Sequence, residues 1–205
     1  MNNAPIGIFD SGIGGVTIFK SVKKLLPKEN FLYFSDNLNS PYGNKSKKEI
    51  QTLSLKNSEW LLNKGCKIII VACNTATTNC ISLLRKSFKT PFIGVEPAIK
   101  PAATNTKTGN IGVLATKGTL NSNLFGITSN DYCSKIKIIE KHGDGLVEMI
   151  ENGILNGTEI EKLLINFLTP MIKSNIDHLV LGCTHFPLIN DSIKKILPDN
   201  VKILE

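Results

Sequence analysis

Lys67-Ile68-Ile69-Ile70-Val71-Ala72-Cys73-Asn74-Thr75-Ala76-Thr77-Thr78 sets the fold class. A β-branched run with no polar alternation is a strand covered on both faces, and the Asn and Thr that follow can cap a helix. The same build returns at Asp177-His178-Leu179-Val180-Leu181-Gly182-Cys183-Thr184-His185, so a cysteine again closes a buried strand. Working outward, short apolar runs alternate with amphipathic stretches along the whole chain, as in a parallel sheet flanked by helices. Strands are expected at residues 5–9, 31–35, 67–72, 91–95, 110–114, 135–140, 177–181 and 201–204, and the clearest helices at 47–63, 76–86, 158–174 and 188–197. Residues 96–108, broken by Pro97 and Pro101, read as a linker.

The order of strands contains a faint internal repeat. Ile6-Gly7-Ile8-Phe9 matches Ile111-Gly112-Val113-Leu114, Phe31 matches Lys135, Cys73 matches Cys183, and Phe92 matches Val201, all in the same order. Two similar parallel-sheet α/β domains related by a pseudo-repeat are expected, residues 1–97 and 98–205. In such sheets ligands bind outside the carboxyl ends of the strands. A cleft between the two units would therefore hold Cys73 and Cys183 face to face.

The 205 residues exceed one average domain of about 150 and fall short of two. Apolar residues make up 41%, enough for a core. No apolar run approaches the roughly 18 residues that cross a bilayer, and the first ten residues lack signal-peptide character. A soluble, cytoplasmic chain with no membrane partner is the expectation. The five cysteines form no C-x-x-C pair, which indicates neither disulfides nor a metal site. Of 24 basic residues only Arg85 is an arginine, so the +7 charge reads as a lysine-rich surface and argues little for nucleic acid.

A thiol at a helix mouth gains from the helix N-terminus, which should lower the Cys73 pKa toward neutrality. An inert buried cysteine is an equally good account of Cys73 alone. Cys183, with His185 two positions on to relay protons, tips the balance toward chemistry. Cys66, Cys80 and Cys133 have no such setting. Asp10-Ser11-Gly12-Ile13-Gly14-Gly15 competes as a dinucleotide turn, with Asp36 as its ribose acid. Thr17 occupies the third glycine position, however, and Asp10 would lie beside the pyrophosphate. Asp10 and Ser11 facing the cleft, with Asp10 near an ammonium or a thiol, is the better account. Ser40-Pro41-Tyr42-Gly43 is an ordinary turn that can offer the Tyr42 and Gly43 NH groups to a carboxylate. Asn74, Thr75, Thr184 and Ser11 supply the remaining polar groups. His178 reads as structural, His142 carries no signal, and Glu148 by itself is a surface charge.

These motifs, together with Gly94-Val95-Glu96-Pro97, Leu114-Ala115-Thr116-Lys117-Gly118-Thr119 and Cys183-Thr184-His185-Phe186-Pro187-Leu188, resemble the glutamate racemases within the aspartate/glutamate racemase family. The resemblance implies cofactor-independent interconversion of L- and D-glutamate, with D-glutamate feeding peptidoglycan, and no metal. It implies Cys73 and Cys183 as the two acid/base groups, assisted by Asp10, His185 and an acid matching Glu148. Asp10, Ser11, Tyr42, Gly43, Asn74, Thr75, Thr184 and His185 would line the substrate site. Aspartate racemase, or a relative that binds amino acids without catalysis, are the alternatives. Glutamate is the implied small-molecule partner; a homodimer, a cell-wall precursor as activator and DNA gyrase are partners that family membership permits and the residues do not fix. Family members usually continue past the last strand into a turn and a helix that return to the first domain. A chain without that segment is expected to expose apolar surface on the first domain and to lose stability or depend on a partner chain.

Overall fold

A computed structural model describes residues 3–205. Among the described residues, eight strands form two four-stranded, wholly parallel sheets. The first contains β1 (Ile6–Asp10), β2 (Phe31–Ser35), β3 (Ile68–Val71) and β4 (Phe92–Gly94) in the order β2-β1-β3-β4. The second contains β5 (Asn110–Ala115), β6 (Lys137–His142), β7 (His178–Gly182) and β8 (Lys202–Leu204) in the order β6-β5-β7-β8. The two orders are the same pattern, as two copies of one unit require.

Register refines the repeat. Ile6 pairs with Phe31 and Ile68, and Ile111 pairs with Ile138 and His178. The equivalent of Phe31 is thus Ile138 and not Lys135. Likewise Ile69 faces Phe92 and Leu179 faces Ile203, so Phe92 answers Ile203 and not Val201. Cys73 and Cys183, each following the central strand next to the first, keep the equivalence read from sequence.

Both sheets are covered on both faces, which is why β1, β3, β5 and β7 are almost continuously apolar. On the first sheet, α1 (Val16–Leu25) covers one face over Ile6, Ile8 and Ile70. The other face carries α2 (Lys47–Asn63) and α3 (Asn74–Ser87) over Phe9, Ile69 and Val71. Ser46 and Glu49 start α2 with a reciprocal capping box. On the second sheet, α4 (Ile99–Asn105) and α6 (Asn123–Tyr132) pack over Ile111, Val113 and Val180. Its opposite face holds α7 (Leu146–Glu151), α8 (Thr158–Lys173) and α9 (Asn190–Lys194) over Leu114, Leu179 and Leu181. A short α5 (Lys117–Leu120) follows β5.

Two expectations need correction. The linker at 96–108 holds the helix α4. Pro101 lies in its first turn, where the NH groups have no partner within the helix, so the ring costs no hydrogen bond. The helix expected at 188–197 is instead a 3-10 turn at Phe186–Ile189 followed by the five residues of α9. Pro187 opens that turn, and Asn190, Asp191 and Ser192 are weak helix formers. No helix among the described residues is long and apolar enough to cross a membrane.

Candidate active site

The carboxyl ends of the two sheets point at one another, and the loops leaving β1, β3, β5 and β7 meet there. Cys73 follows β3 with an extended backbone and caps α3 with its own sulfur, which accepts from the Ala76 NH at 3.4 Å. Its thiol donates to Ser11 Oγ at 3.6 Å. Cys183 follows β7, and its sulfur is 3.8 Å from His185 Nδ1. Both sulfurs line one small cavity together with Ser11, Tyr42, Gly43, Asn74, Thr75, Thr116, Thr184 and His185. Its free volume is about 10 Å³, roughly the room of one water. The two halves are closed on each other.

Closure is built from hydrogen bonds across the halves. The Thr184 hydroxyl of the second half donates to Asp10 Oδ2 at 3.2 Å, and the same oxygen accepts from the Gly15 NH at 2.7 Å. Thr75 of the first half shares hydrogen bonds with Thr116 and Thr119 at 2.8 and 3.2 Å. Asn79 donates to the Gly118 carbonyl at 2.8 Å. The glycines after Asp10 make room for this approach. A Cβ on Gly12 would lie 1.7 Å from Glu151 Oε1, and one on Gly14 would lie 2.6 Å from both His185 Nδ1 and Thr184 Oγ1. The turn that resembled a phosphate cradle is filled by the other half of the chain.

The acid that reaches His185 is Glu151, not Glu148. Glu151 Oε1 accepts from His185 Nε2 at 2.5 Å and from the Ile13 NH at 2.9 Å. Glu148, one turn earlier on α7, meets Asn44 at 3.3 Å on an exposed edge. The Glu151 contact places the imidazole proton on Nε2 and leaves Nδ1 as the acceptor facing Cys183. Thr116 and Val147 also line the cavity without having been selected from sequence. The repeat contained a signal for Thr116, because it follows β5 just as Ser11 follows β1. His178 is structural, its Nδ1 bound to Asp177 at 2.8 Å.

Electrostatics departs from the sequence expectation. Burial, then the neighbouring Asp10 charge, pushes the Cys73 thiol up to about 12, against the lowering by the Ala76 and Ser11 hydrogen bonds. Burial likewise drives Cys183 far above its ordinary value, with the His185 and Phe186 NH groups opposing. Asp10 is itself raised by burial, although His185 and the Gly15 NH pull the other way. The helix terminus at Cys73 is present, but loss of water from the closed cavity outweighs it. Both thiols are held protonated in this state. No group of three or more His, Cys, Asp or Glu side chains among the described residues is arranged to hold a metal ion.

Comparison with known proteins gives one answer. A glutamate racemase of Cupriavidus pinatubonensis is 42% identical over 205 residues, covering 100% of this chain and 75% of that protein. The crystal structure of glutamate racemase from Francisella tularensis in complex with D-glutamate superposes with a TM-score of 0.86 at 35% identity, covering 100% of this chain and 77% of that one. The Escherichia coli glutamate racemase in complex with L-glutamate and the activator UDP-MurNAc-Ala superposes with a TM-score of 0.89 at 32% identity, covering 98% and 77%. Residues 6–205 match the Asp/Glu/Hydantoin racemase family, to which this chain therefore belongs.

Proposed function

We propose that the chain interconverts L- and D-glutamate without a cofactor, using Cys73 and Cys183 as a pair of acid/base groups. The observation that carries this is the single cavity lined by both sulfurs, one from each half. Inversion at a carbon needs one group to remove a proton from one face and another to deliver a proton to the opposite face. A thiolate takes the α-proton and becomes a thiol, leaving the electron pair on the α-carbon. The opposite thiol then gives its proton to that carbon and becomes the thiolate for the reverse reaction.

Both thiols begin protonated, so substrate binding has to help release one proton. An ammonium group brought in beside Asp10 offsets the carboxylate that opposes a Cys73 thiolate. On the other side His185 Nδ1 is placed to accept the Cys183 proton, with Glu151 stabilising the imidazolium. Ser11, Asn74, Thr75, Thr116 and Thr184 supply donors for the planar intermediate, and the backbone at Tyr42 and Gly43 supplies donors for a substrate carboxylate. Because the closed cavity is far smaller than glutamate, the halves must part for entry and close again for reaction.

We further propose a domain boundary at Pro97, just before α4, and a role in supplying D-glutamate to the cell wall. The Escherichia coli complex supports testing UDP-MurNAc-Ala as an activator here. Sedimentation tests a homodimer, and a supercoiling assay tests action on gyrase. The decisive experiment for the reaction is circular-dichroism racemisation of glutamate and aspartate side by side, without added cofactor. Inversion of glutamate well ahead of aspartate supports the proposal. Inversion of aspartate alone, or binding of glutamate without inversion, rejects it.

A further inference from the structure

Asp36, which the dinucleotide reading would make a ribose ligand, is buried directly after β2 and bonded within the first half. Its Oδ1 accepts from Asn39 Nδ2 at 2.8 Å, and its Oδ2 accepts from the Tyr42 hydroxyl at 2.5 Å. Asn57, reaching up from α2, donates to the Tyr42 oxygen at 2.9 Å and approaches Asp36 Oδ2 at 3.5 Å. Tyr42 is only 1% exposed, and its ring packs in the same apolar cluster as Phe9, Ile50 and Leu61. The side chain of Tyr42 is thus anchored in the first-half core. What the Tyr42-Gly43 segment offers the substrate is mainly its backbone.

One carboxylate therefore ties down both ends of the Asn39-Ser40-Pro41-Tyr42 loop. That loop carries Gly43 so close to the second half that an added Cβ would lie 2.7 Å from Thr116 Cβ. We infer that Asp36, with Asn57, is a positioning residue that holds the Tyr42-Gly43 backbone at the wall of the substrate cavity. The inference rests on that cavity being the glutamate site. Backbone NH groups that hold a substrate carboxylate do so equally before and during proton transfer. Loosening them raises KM and largely spares kcat.

The test compares wild type with Asp36→Ala, Asp36→Asn and Tyr42→Phe by steady-state racemisation, urea unfolding and amide hydrogen exchange. Losing a hydrogen bond to a charged group predicts a KM about tenfold higher in Asp36→Ala, with kcat changed by less than about threefold. Tyr42→Phe moves KM in the same direction. Asp36→Asn restores most of the loss, because its amide oxygen still accepts from Tyr42. In all the impaired variants, exchange at the Ser40, Tyr42, Gly43 and Asn44 amides accelerates while β3 and β7 remain protected. Wild-type KM and unchanged exchange in folded Asp36→Ala overturn the inference. If Asp36→Ala does not fold, the same result in Tyr42→Phe overturns it. A wild-type chain with no glutamate turnover defeats the functional proposal instead, and the exchange pattern still decides the positioning role.

Discussion

Gly14→Ala tests whether the close approach of the two halves sets the rate. A Cβ at this position would sit 2.6 Å from His185 Nδ1, 2.6 Å from Thr184 Oγ1 and 2.7 Å from the His185 backbone nitrogen. Ordinary contact begins at 3.4 Å, so the Thr184-His185 segment has to retreat by about 0.7–0.8 Å. Rotation of one side chain does not relieve it, because a backbone nitrogen is among the three contacts. Cys183 is adjacent in the chain and moves with them. A displacement approaching 1 Å at a reacting group costs on the order of 100-fold in rate, whereas overpacking costs about 1–3 kcal/mol of stability. Racemisation measured by circular dichroism should fall about 100-fold in kcat while the chain still unfolds cooperatively in urea. Gly126→Ala is the control. Gly126 lies inside α6 with nothing within 4 Å of the added carbon, so it should gain about 0.5–1 kcal/mol and keep its turnover. A folded Gly14→Ala variant within about threefold of wild-type kcat would refute the reasoning, because the halves could then tolerate a gap of that size at the reacting sulfur.

Glu151→Gln weakens the charge behind His185, so it should reduce turnover at least about tenfold more than Glu148→Gln; the opposite ranking in matched assays restores the acid expected from sequence. With Cys73 pushed up to about 12 and its neutral form favoured by folding, iodoacetamide labelling of the unliganded protein should be slow at pH 7 and climb about tenfold per pH unit with no plateau through about pH 10. Glutamate should protect both sulfurs, and a labelling midpoint near pH 7 contradicts the thiol assignment. The same raised value makes the thiol contribution to stability complete below the unfolded thiol range and progressively lost as pH climbs above it. Asp177 has the opposite sign. Burial alone would raise its carboxyl, but hydrogen bonds from His178, Thr106 and the Lys107 and Thr108 NH groups overcome this and hold it well below its ordinary value. Its contribution is present above about pH 4 and lost as pH falls. Asp177→Ala should cost about 1–3 kcal/mol at pH 7 through unpaired NH groups, and urea midpoints that differ equally at pH 7 and pH 3 exclude the carboxylate as the cause.

The central strands were legible because burial on both faces leaves a continuous apolar run, and the two cysteines were legible because each ends such a run. The helix α4 was hidden by Pro101, since a proline in a first turn and a proline in a linker look alike in sequence. Strand β6 was placed early because Lys135 begins a polar edge whose register is set only by pairing Ile138 with Ile111. Glu148 and Glu151 lie a turn apart on α7, and only the docking of the first half shows which one reaches His185. The raised Cys73 thiol is hidden from sequence for a related reason. A helix terminus is a local feature of sequence, but the burial that overrides it is set by the tertiary packing around the sulfur. Gly12 and Gly14 were visible as a tight turn, yet the atoms that forbid a side chain there belong to residues far along the sequence.

Opposed sulfurs make a specific isotopic demand. When L-glutamate is incubated with the purified chain in deuterated water, each molecule of D-glutamate formed early should carry solvent deuterium at the α-carbon, while recovered L-glutamate retains its original proton. Deuterium entering recovered L-glutamate as fast as it enters the D-product, or D-product formed with the original proton intact, would contradict a proton removed by one cysteine and replaced by the other.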